Sequence, residues 1–140
     1  METWIYYAVI SMLFAGMTSV LAKYGLKEVN ADIALLIRTG FITVFIWANA
    51  LLFDDVRTVQ DISRKSLIFL GLSAVTTSIS WIYYYRAIKI GQVSTVALID
   101  KGSIIIALTL SYFLLNEPFT MKTALGATCI LIGIVVLVVK

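Results

Sequence analysis

The sequence lacks histidine and has one cysteine, Cys129, and one proline, Pro118. Without histidine, imidazole metal sites and histidine proton relays are excluded, and a single cysteine excludes a disulfide within the chain. The sequence also lacks a GxxxxGK[ST] phosphate loop and a serine-nucleophile elbow. We therefore expect no enzyme activity, no cofactor and no bound metal.

Charged residues are scarce, at 14% of the 140 residues, whereas 61% of the residues are hydrophobic. A soluble domain is nearer half apolar and a quarter charged. A soluble fold of this length would need a polar surface that this chain cannot supply. The net charge of +3 is spread through short loops, so we expect no nucleic-acid partner. These proportions predict a single integral membrane domain whose partner is the lipid bilayer.

The apolar residues form five segments, and a helix that crosses the bilayer core needs about 20 residues. Helices are expected because the bilayer core has no water to satisfy open backbone groups. Pro118 should end the fourth helix, and the first segment lacks the basic start of a signal peptide. The fold class is therefore predicted as all-α and polytopic, with transmembrane helices at residues 4–22, 33–53, 66–85, 93–115 and 123–139.

Two charges lie within apolar segments at similar depth. Arg38 is about 7–8 Å and Asp100 about 10–11 Å from the same membrane side, at 1.5 Å of rise per residue. Lys101 can extend toward water, but the short side chain of Asp100 cannot. Neighbouring helical residues point about 100° apart, so Asp100 and Lys101 are poorly placed to pair. We expect Asp100 to face the interior or a hydrated cavity and to pair with Arg38. The alternative is a purely structural ion pair that locks the second and fourth helices.

Hydroxyl and aromatic residues on the third and fourth helices complete the candidate site. Ser103 shares a helical face with Asp100. The candidates for a substrate cavity or for energy coupling are Arg38, Asp100, Lys101, Thr77, Trp81, Tyr84 and Ser103.

Most other aromatic and small residues have simpler interpretations. Trp4, Tyr6, Tyr7 and Tyr83–Tyr85 are typical of the aromatic belt at a membrane interface, although Tyr84 is also a cavity candidate because it shares a face with hydroxyl residues. Ser11, Ala15 and Ser19 form a ladder of small residues that favours close helix packing. We interpret the last segment, with Gly126 and Gly133, as a packing or dimer-contact helix.

The positive charges divide almost evenly between the two membrane sides. Four lie on the side of the N-terminus and five on the other side. Orientation follows the Lys/Arg asymmetry, which here nearly cancels. Either a weaker signal fixes one orientation, or the chain inserts both ways and pairs as an antiparallel dimer. The residues counted are Arg57, Arg64, Lys65 and Lys122 on the first side, and Lys23, Lys27, Arg86, Lys89 and Lys140 on the second.

Several short motifs occur in a suggestive order: "AKYGLK", "IRTG", "RAIKIGQVS", "IDKGS" and "NEP". With them, the whole chain resembles the EamA domain of the drug/metabolite transporter superfamily, in its half-size, five-span bacterial and archaeal branch. Larger relatives contain two such domains in inverted topology. The resemblance implies a homodimer that forms an inverted-repeat transporter, with a parallel dimer or a heteromer as alternatives. It also implies a substrate cavity among the first four helices and a multi-pass protein of a prokaryotic inner or plasma membrane.

One feature departs from the related small multidrug resistance proteins, which use a membrane-embedded glutamate in their first helix. The first helix here, "WIYYAVISMLFAGMTSVLA", contains no acid, which argues against proton-coupled drug export by that mechanism. The resemblance implies transport of small metabolites or related small molecules by alternating access. The alternative is a non-transporting membrane subunit that stabilises or regulates a partner. Charge beside a hydrated cavity favours the first hypothesis, and charge sealed in a dry ion pair favours the second.

Overall fold

The computed structural model describes residues 3–53, 59 and 61–138. The described residues contain no β-strand, so the all-α class is confirmed. Within the described residues, six α-helices follow one another: α1 Thr3–Gly25, α2 Ala31–Phe53, α3 Arg64–Ile90, α4 Val93–Asp100, α5 Ser103–Leu115 and α6 Met121–Val138.

Four stretches are long and apolar enough to cross a membrane. Three are α1, α2 and α3, and the fourth is Val93–Leu115, which comprises α4 and α5. The stretch Met121–Leu137 is a shorter apolar helix. The lengths and composition confirm a polytopic membrane protein.

The chain forms two compact units, Met1–Ile90 and Gly91–Lys140. In the first unit, α3 packs against both α1 and α2, and in the second, α4 packs against α6. The prediction of a single domain stays a prediction.

The starts of α2, α3 and α6 are set by short polar side chains that accept hydrogen bonds from the first turn. The Asn30 side chain accepts the backbone N–H of Asp32 at 2.9 Å, and Ser63 Oγ accepts that of Ser66 at 3.1 Å. Thr120 Oγ1 accepts the backbone N–H of Thr123 at 3.2 Å before α6. These caps satisfy amide groups that have no partner within the helix, so each helix begins where its cap lies.

The third helix is longer than predicted. The predicted end at residue 85 is wrong, because α3 continues through Arg86 to Ile90. Its last carbonyl groups find donors on the first helix: Lys23 Nζ donates to the carbonyl oxygen of Lys89 at 3.1 Å and also to that of Ile88. A lysine at a helix C-terminus satisfies carbonyl groups and favours the helix dipole. The added turn is therefore stabilised from α1, which sequence periodicity does not reveal.

Burial in the first unit is concentrated where α1 and α3 end and α2 begins. Leu26 and Ile88 are 1% and 0% exposed, and Tyr85 is also buried. The predicted spanning windows contain no buried residue, and their large apolar side chains are exposed. Acyl chains are as apolar as these side chains, so a bilayer solvates the exposed faces.

The predicted fourth helix is interrupted within the apolar run. The predicted span 93–115 is confirmed in its bounds, but it is not one continuous α-helix, because α4 ends at Asp100 and α5 begins at Ser103. Lys101 and Gly102 keep right-handed helical dihedral angles. Their amides bond three residues back, from Lys101 to Leu98 at 3.1 Å and from Gly102 to Ile99 at 2.9 Å. The charged pair therefore lies at a tight, 3₁₀-like turn, an element often found at hinges.

The turn before α6 explains why α5 stops. Asn116 adopts the left-handed conformation with φ of 54°, and its amide donates to the carbonyl of Ser111. Asparagine tolerates this conformation, and Pro118 follows two residues later, as predicted for the end of this segment. The last helix begins at Met121 rather than at residue 123. Arg57, Val139 and Lys140 lie outside the described residues.

Candidate functional site

Arg38 of α2 is held against two aromatic rings of α3. Its Cζ lies 3.9 Å from the ring centroid of Trp81 and 5.7 Å from that of Tyr85. Trp81 and Tyr85 are four residues apart, so they project from the same face of α3. A planar guanidinium stacks well on aromatic faces. Among the described residues of this unit, no carboxylate forms an ion pair with this cation, which the two rings hold in place.

One nitrogen of this guanidinium is left without an acceptor. Nη1 of Arg38 is buried and has no hydrogen-bond partner within the part of the chain that the structure describes. Leaving a buried neutral donor unpaired costs about 1–3 kcal/mol, and a charged donor costs more. A fixed, unpaired cationic donor is therefore suited to binding an acceptor that comes from outside the unit.

A cavity of about 590 Å³ adjoins Arg38 and is called here the Arg38 cavity. Its wall is formed mainly by α1 and α2, with Tyr85 contributed by α3. Apart from Arg38, Thr18 and Tyr85, its lining is apolar or glycine: Leu21, Ala22, Gly25, Val29, Ala34, Ile37, Phe41, Ile42, Phe45 and Ile46. Largely apolar cavities with few polar groups are typical of small-molecule sites.

Tyr85 is the cavity residue that the sequence did not identify. The aromatic-belt interpretation is wrong for it, because it is 4% exposed and lines the Arg38 cavity. The predicted Tyr84 instead donates its hydroxyl to Ser19 Oγ of α1 at 2.7 Å, and Ser19 donates to the carbonyl of Ala15. The spacing of four from Trp81 could have indicated Tyr85.

A second cavity of about 430 Å³ lies between α2 and α3. Two predicted residues, Thr77 and Trp81, line it. Three further hydroxyl residues, Thr39, Ser73 and Ser78, share the wall. Of these, Thr39 and Ser78 donate to carbonyl groups four residues earlier, at 2.8 Å each. Trp81 therefore separates a hydroxyl-lined cavity from the stacked guanidinium.

An ion pair fixes the start of α2 against α3. Arg86 binds Asp32 through two hydrogen bonds, Nε to Oδ1 at 3.0 Å and Nη2 to Oδ2 at 2.9 Å. Both side chains are about half exposed, so the bidentate geometry orients the helices more than it stabilises them. Arg86, the arginine in the C-terminal turns of α3, is thus already paired. The pair joins α2 and α3, the helices that carry Arg38 and Trp81.

In the second unit, Asp100 and Lys101 lie beside each other after all. Lys101 Nζ is 3.9 Å from Asp100 Oδ2, so the expectation that they are poorly placed to pair is wrong. Both side chains are substantially exposed, at 41% for Asp100 and 62% for Lys101, so the contact is weak.

Lys101 and Ser103 line a cavity of about 620 Å³ in this unit, with apolar residues of α5 and α6 and Cys129. The predicted site residues therefore fall into two groups. Arg38, Thr77, Trp81 and Tyr84 belong to the first unit, and Asp100, Lys101 and Ser103 belong to the second. Pairing of Arg38 with Asp100 stays a prediction.

Comparison with known proteins identifies the family. The profile of the EamA-like transporter family matches residues 2–139. A protein from Sinorhizobium sp, described as an uncharacterized transporter in cobO 3'region, is 34% identical over 138 residues, which are 99% of this chain and 98% of that relative. No solved structure matches the chain significantly. The resemblance inferred from the motifs is thereby confirmed, and the chain belongs to the EamA-like transporter family of multi-pass membrane transporters, not to a family of enzymes.

Proposed function

We propose that this chain transports small metabolites or related small molecules across the plasma membrane of a prokaryotic cell, as a homodimer that works by alternating access. The observation that carries the proposal is the guanidinium of Arg38, which stacks on Trp81 beside the Arg38 cavity and whose Nη1 has no partner among the described residues. Ionisable residues within membrane helices are costly and commonly mark substrate pathways. An arginine that served structure alone would gain most from a buried carboxylate partner.

The size and composition of the Arg38 cavity support a small-molecule substrate. Sites for small molecules are about 300–1,000 Å³ and mostly apolar, with a few fixed polar groups. The Arg38 cavity holds about 590 Å³ and has one cationic residue in its wall. Such a wall offers apolar contacts to most of a ligand and one directional polar contact to select it.

The dimer is proposed from the length of the chain and from its exposed surface. The relative from Sinorhizobium sp matches over nearly its whole length, so the half-size form is not peculiar to this chain. Larger proteins with two such domains alternate access between two halves, and two copies of a single domain supply the same two halves. The near balance of positive charges favours antiparallel copies, because neither orientation is strongly specified.

The test is transport by the purified full-length protein in liposomes. A panel of neutral, anionic and cationic metabolites is offered outside, with and without a pH gradient, and accumulation is followed for each. We expect saturable uptake of at least one class above the protein-free rate. Correctly folded protein that moves no member of the panel would contradict the proposal and favour a non-transporting subunit.

A further inference from the structure

We propose that the Arg38 cavity selects a singly charged organic anion with an apolar body. The inference deepens the proposed function, and rests on it in so far as this ligand is the transported substrate. Its anionic head group would bind the guanidinium of Arg38, which lines the cavity and whose buried Nη1 has no hydrogen-bond partner among the described residues. Its apolar body would lie along the wall formed by Phe41, Phe45 and Ile46.

The charge of the ligand follows from the charge of the wall. Among the described residues that line this cavity, Arg38 is the one cation and none is acidic. A cationic ligand would meet like charge in a medium of low dielectric constant, which is strongly unfavourable. A doubly charged anion would keep one charge uncompensated there. A ligand with a single negative charge therefore balances the single positive charge of Arg38.

The orientation of the guanidinium supports a bound head group over a passive role. Stacking on Trp81 at 3.9 Å uses the face of the planar group and leaves its edge for hydrogen bonds. Thr18, one of two hydroxyl residues in the wall with Tyr85, already donates to the carbonyl of Phe14 at 2.8 Å. The fixed edge of Arg38 is thus the strongest donor that the wall offers to an acceptor.

Two sources could supply this chemistry: a soluble organic anion, and an anionic lipid whose phosphodiester carries one negative charge. Both would place one charged head group on Arg38 and an apolar chain among the aromatic and branched side chains. The experiment below therefore measures soluble probes in the absence and presence of anionic lipid.

The probes share one hexyl chain and differ in charge: hexanesulfonate, neutral hexanesulfonamide and the hexyltrimethylammonium cation. Full-length protein carrying Trp4→Phe and Trp47→Phe is placed in phosphatidylcholine nanodiscs, so that Trp81 fluorescence reports binding. We expect hexanesulfonate to bind at least about tenfold more tightly than the other two, because a charge-assisted hydrogen bond is the stronger kind. Equal binding of the sulfonamide overturns the inference without the need for any variant at Arg38.

Arg38→Gln should abolish the preference for the anion, and Arg38→Lys should weaken it, because lysine keeps the charge but loses the stacked fork. Arg64→Gln is the matched control, since Arg64 is an exposed arginine at the start of α3. Preference that survives in Arg38→Gln overturns the inference. A variant that does not fold leaves the decision to the three probes on the native side chain.

The lipid arm repeats the titration in nanodiscs that also contain phosphatidylglycerol, with native mass spectrometry to detect retained lipid. Unchanged hexanesulfonate binding supports a soluble anion. Weaker binding, with phosphatidylglycerol retained by the native protein but not by Arg38→Gln, supports the same anion site with lipid as its source. Binding without any transport would keep this inference and overturn the proposed function, whereas transport of neutral or cationic substrates alone would do the reverse.

Discussion

Lys23 of α1 donates hydrogen bonds to carbonyl groups at the end of α3, and Lys89 of α3 donates hydrogen bonds to carbonyl groups just after α1. Lys23 Nζ donates to the carbonyl oxygens of Ile88 and Lys89 at the end of α3. Lys89 Nζ donates to the carbonyl oxygens of Leu26 and, at 3.0 Å, Val29 just after α1. The two helices end on the same membrane side, and there each supplies a lysine that binds carbonyl groups at the end of the other. These contacts lie beside the buried side chains of Leu26 and Ile88. They fix α3, and with it Trp81 and Tyr85, relative to α1.

Lys89→Met should destabilise the protein by about 1–3 kcal/mol, the usual range for a hydrogen bond to a charged group or for a buried group left unpaired. Lys23→Met should have an effect of similar size. The measurement is thermal or SDS-induced unfolding of purified protein in detergent. Lys65→Met is the control, because Lys65 lies in the first turn of α3, where a cation is unfavourable to the helix dipole. A loss in Lys65→Met as large as that in Lys89→Met would contradict the capping account.

Gly102→Ala should leave the free energy of unfolding unchanged or lower it, and Gly102→Leu should clearly lower it. A Cβ at this position would lie 3.0 Å from the carbonyl oxygen of Ile99 and 3.4 Å from Ile134 Cδ1 of α6. Crowding of about 1–3 kcal/mol opposes the gain of up to about 1 kcal/mol that alanine brings to a helix. Unfolding in detergent measures the balance.

Gly71→Ala is the control for this prediction, because no heavy atom lies within 4 Å of a Cβ built there. It should be neutral or stabilising. An equal gain in stability toward unfolding in Gly71→Ala and Gly102→Ala would show that Ile99 and Ile134 do not restrict the turn.

Gly126→Ile should weaken the proposed homodimer while leaving the protomer folded. No heavy atom of the described protomer lies within 4 Å of a Cβ at Gly126, so the larger side chain has room within its own chain. If α6 contacts a second copy, the added bulk disrupts close helix approach. Mass photometry and chemical cross-linking in detergent measure the dimer. Gly71→Ile on α3 is the matched control, and an equal dimer fraction in both variants would exclude this contact.

Fusion reporters at the C-terminus should detect both orientations of the chain. A reporter active in the cytoplasm and one active outside should give comparable signals, because the positive charges nearly balance across the membrane. Two lysines added beside Lys122 should shift the signals toward the orientation that places this loop in the cytoplasm. Signal from one reporter alone, unchanged by the added lysines, would contradict dual insertion.

The sequence was sufficient for the apolar helices because bilayer length and hydrophobicity are properties of single segments. It could single out Arg38 and Trp81, which the structure brings into contact, because a charge inside an apolar run and the polar face of a helix are local patterns. Tyr85 was missed because Tyr83–Tyr85 all fit an interfacial belt, and their separation depends on packing against α1 and α2.

The ends of α3 and α4 could not be predicted for a related reason. Residues 86–90 look like a polar loop until Lys23 of α1 supplies donors to their carbonyl groups. The turn at Lys101 and Gly102 depends on bonds that reach three residues instead of four. Both features are set by tertiary contacts or by small backbone changes, and the periodicity of apolar residues does not indicate either.

The most direct test of the account is uptake of labelled hexanesulfonate by proteoliposomes containing the native protein, Arg38→Gln or Arg64→Gln. The permanent charge of this probe keeps its leak through the bilayer slow, so protein-dependent flux can be resolved. We predict saturable uptake by the native protein and by Arg64→Gln, and a rate near that of protein-free liposomes for Arg38→Gln. Equal uptake by all three proteins, or no uptake by folded native protein, would contradict the claim that Arg38 forms the transport site.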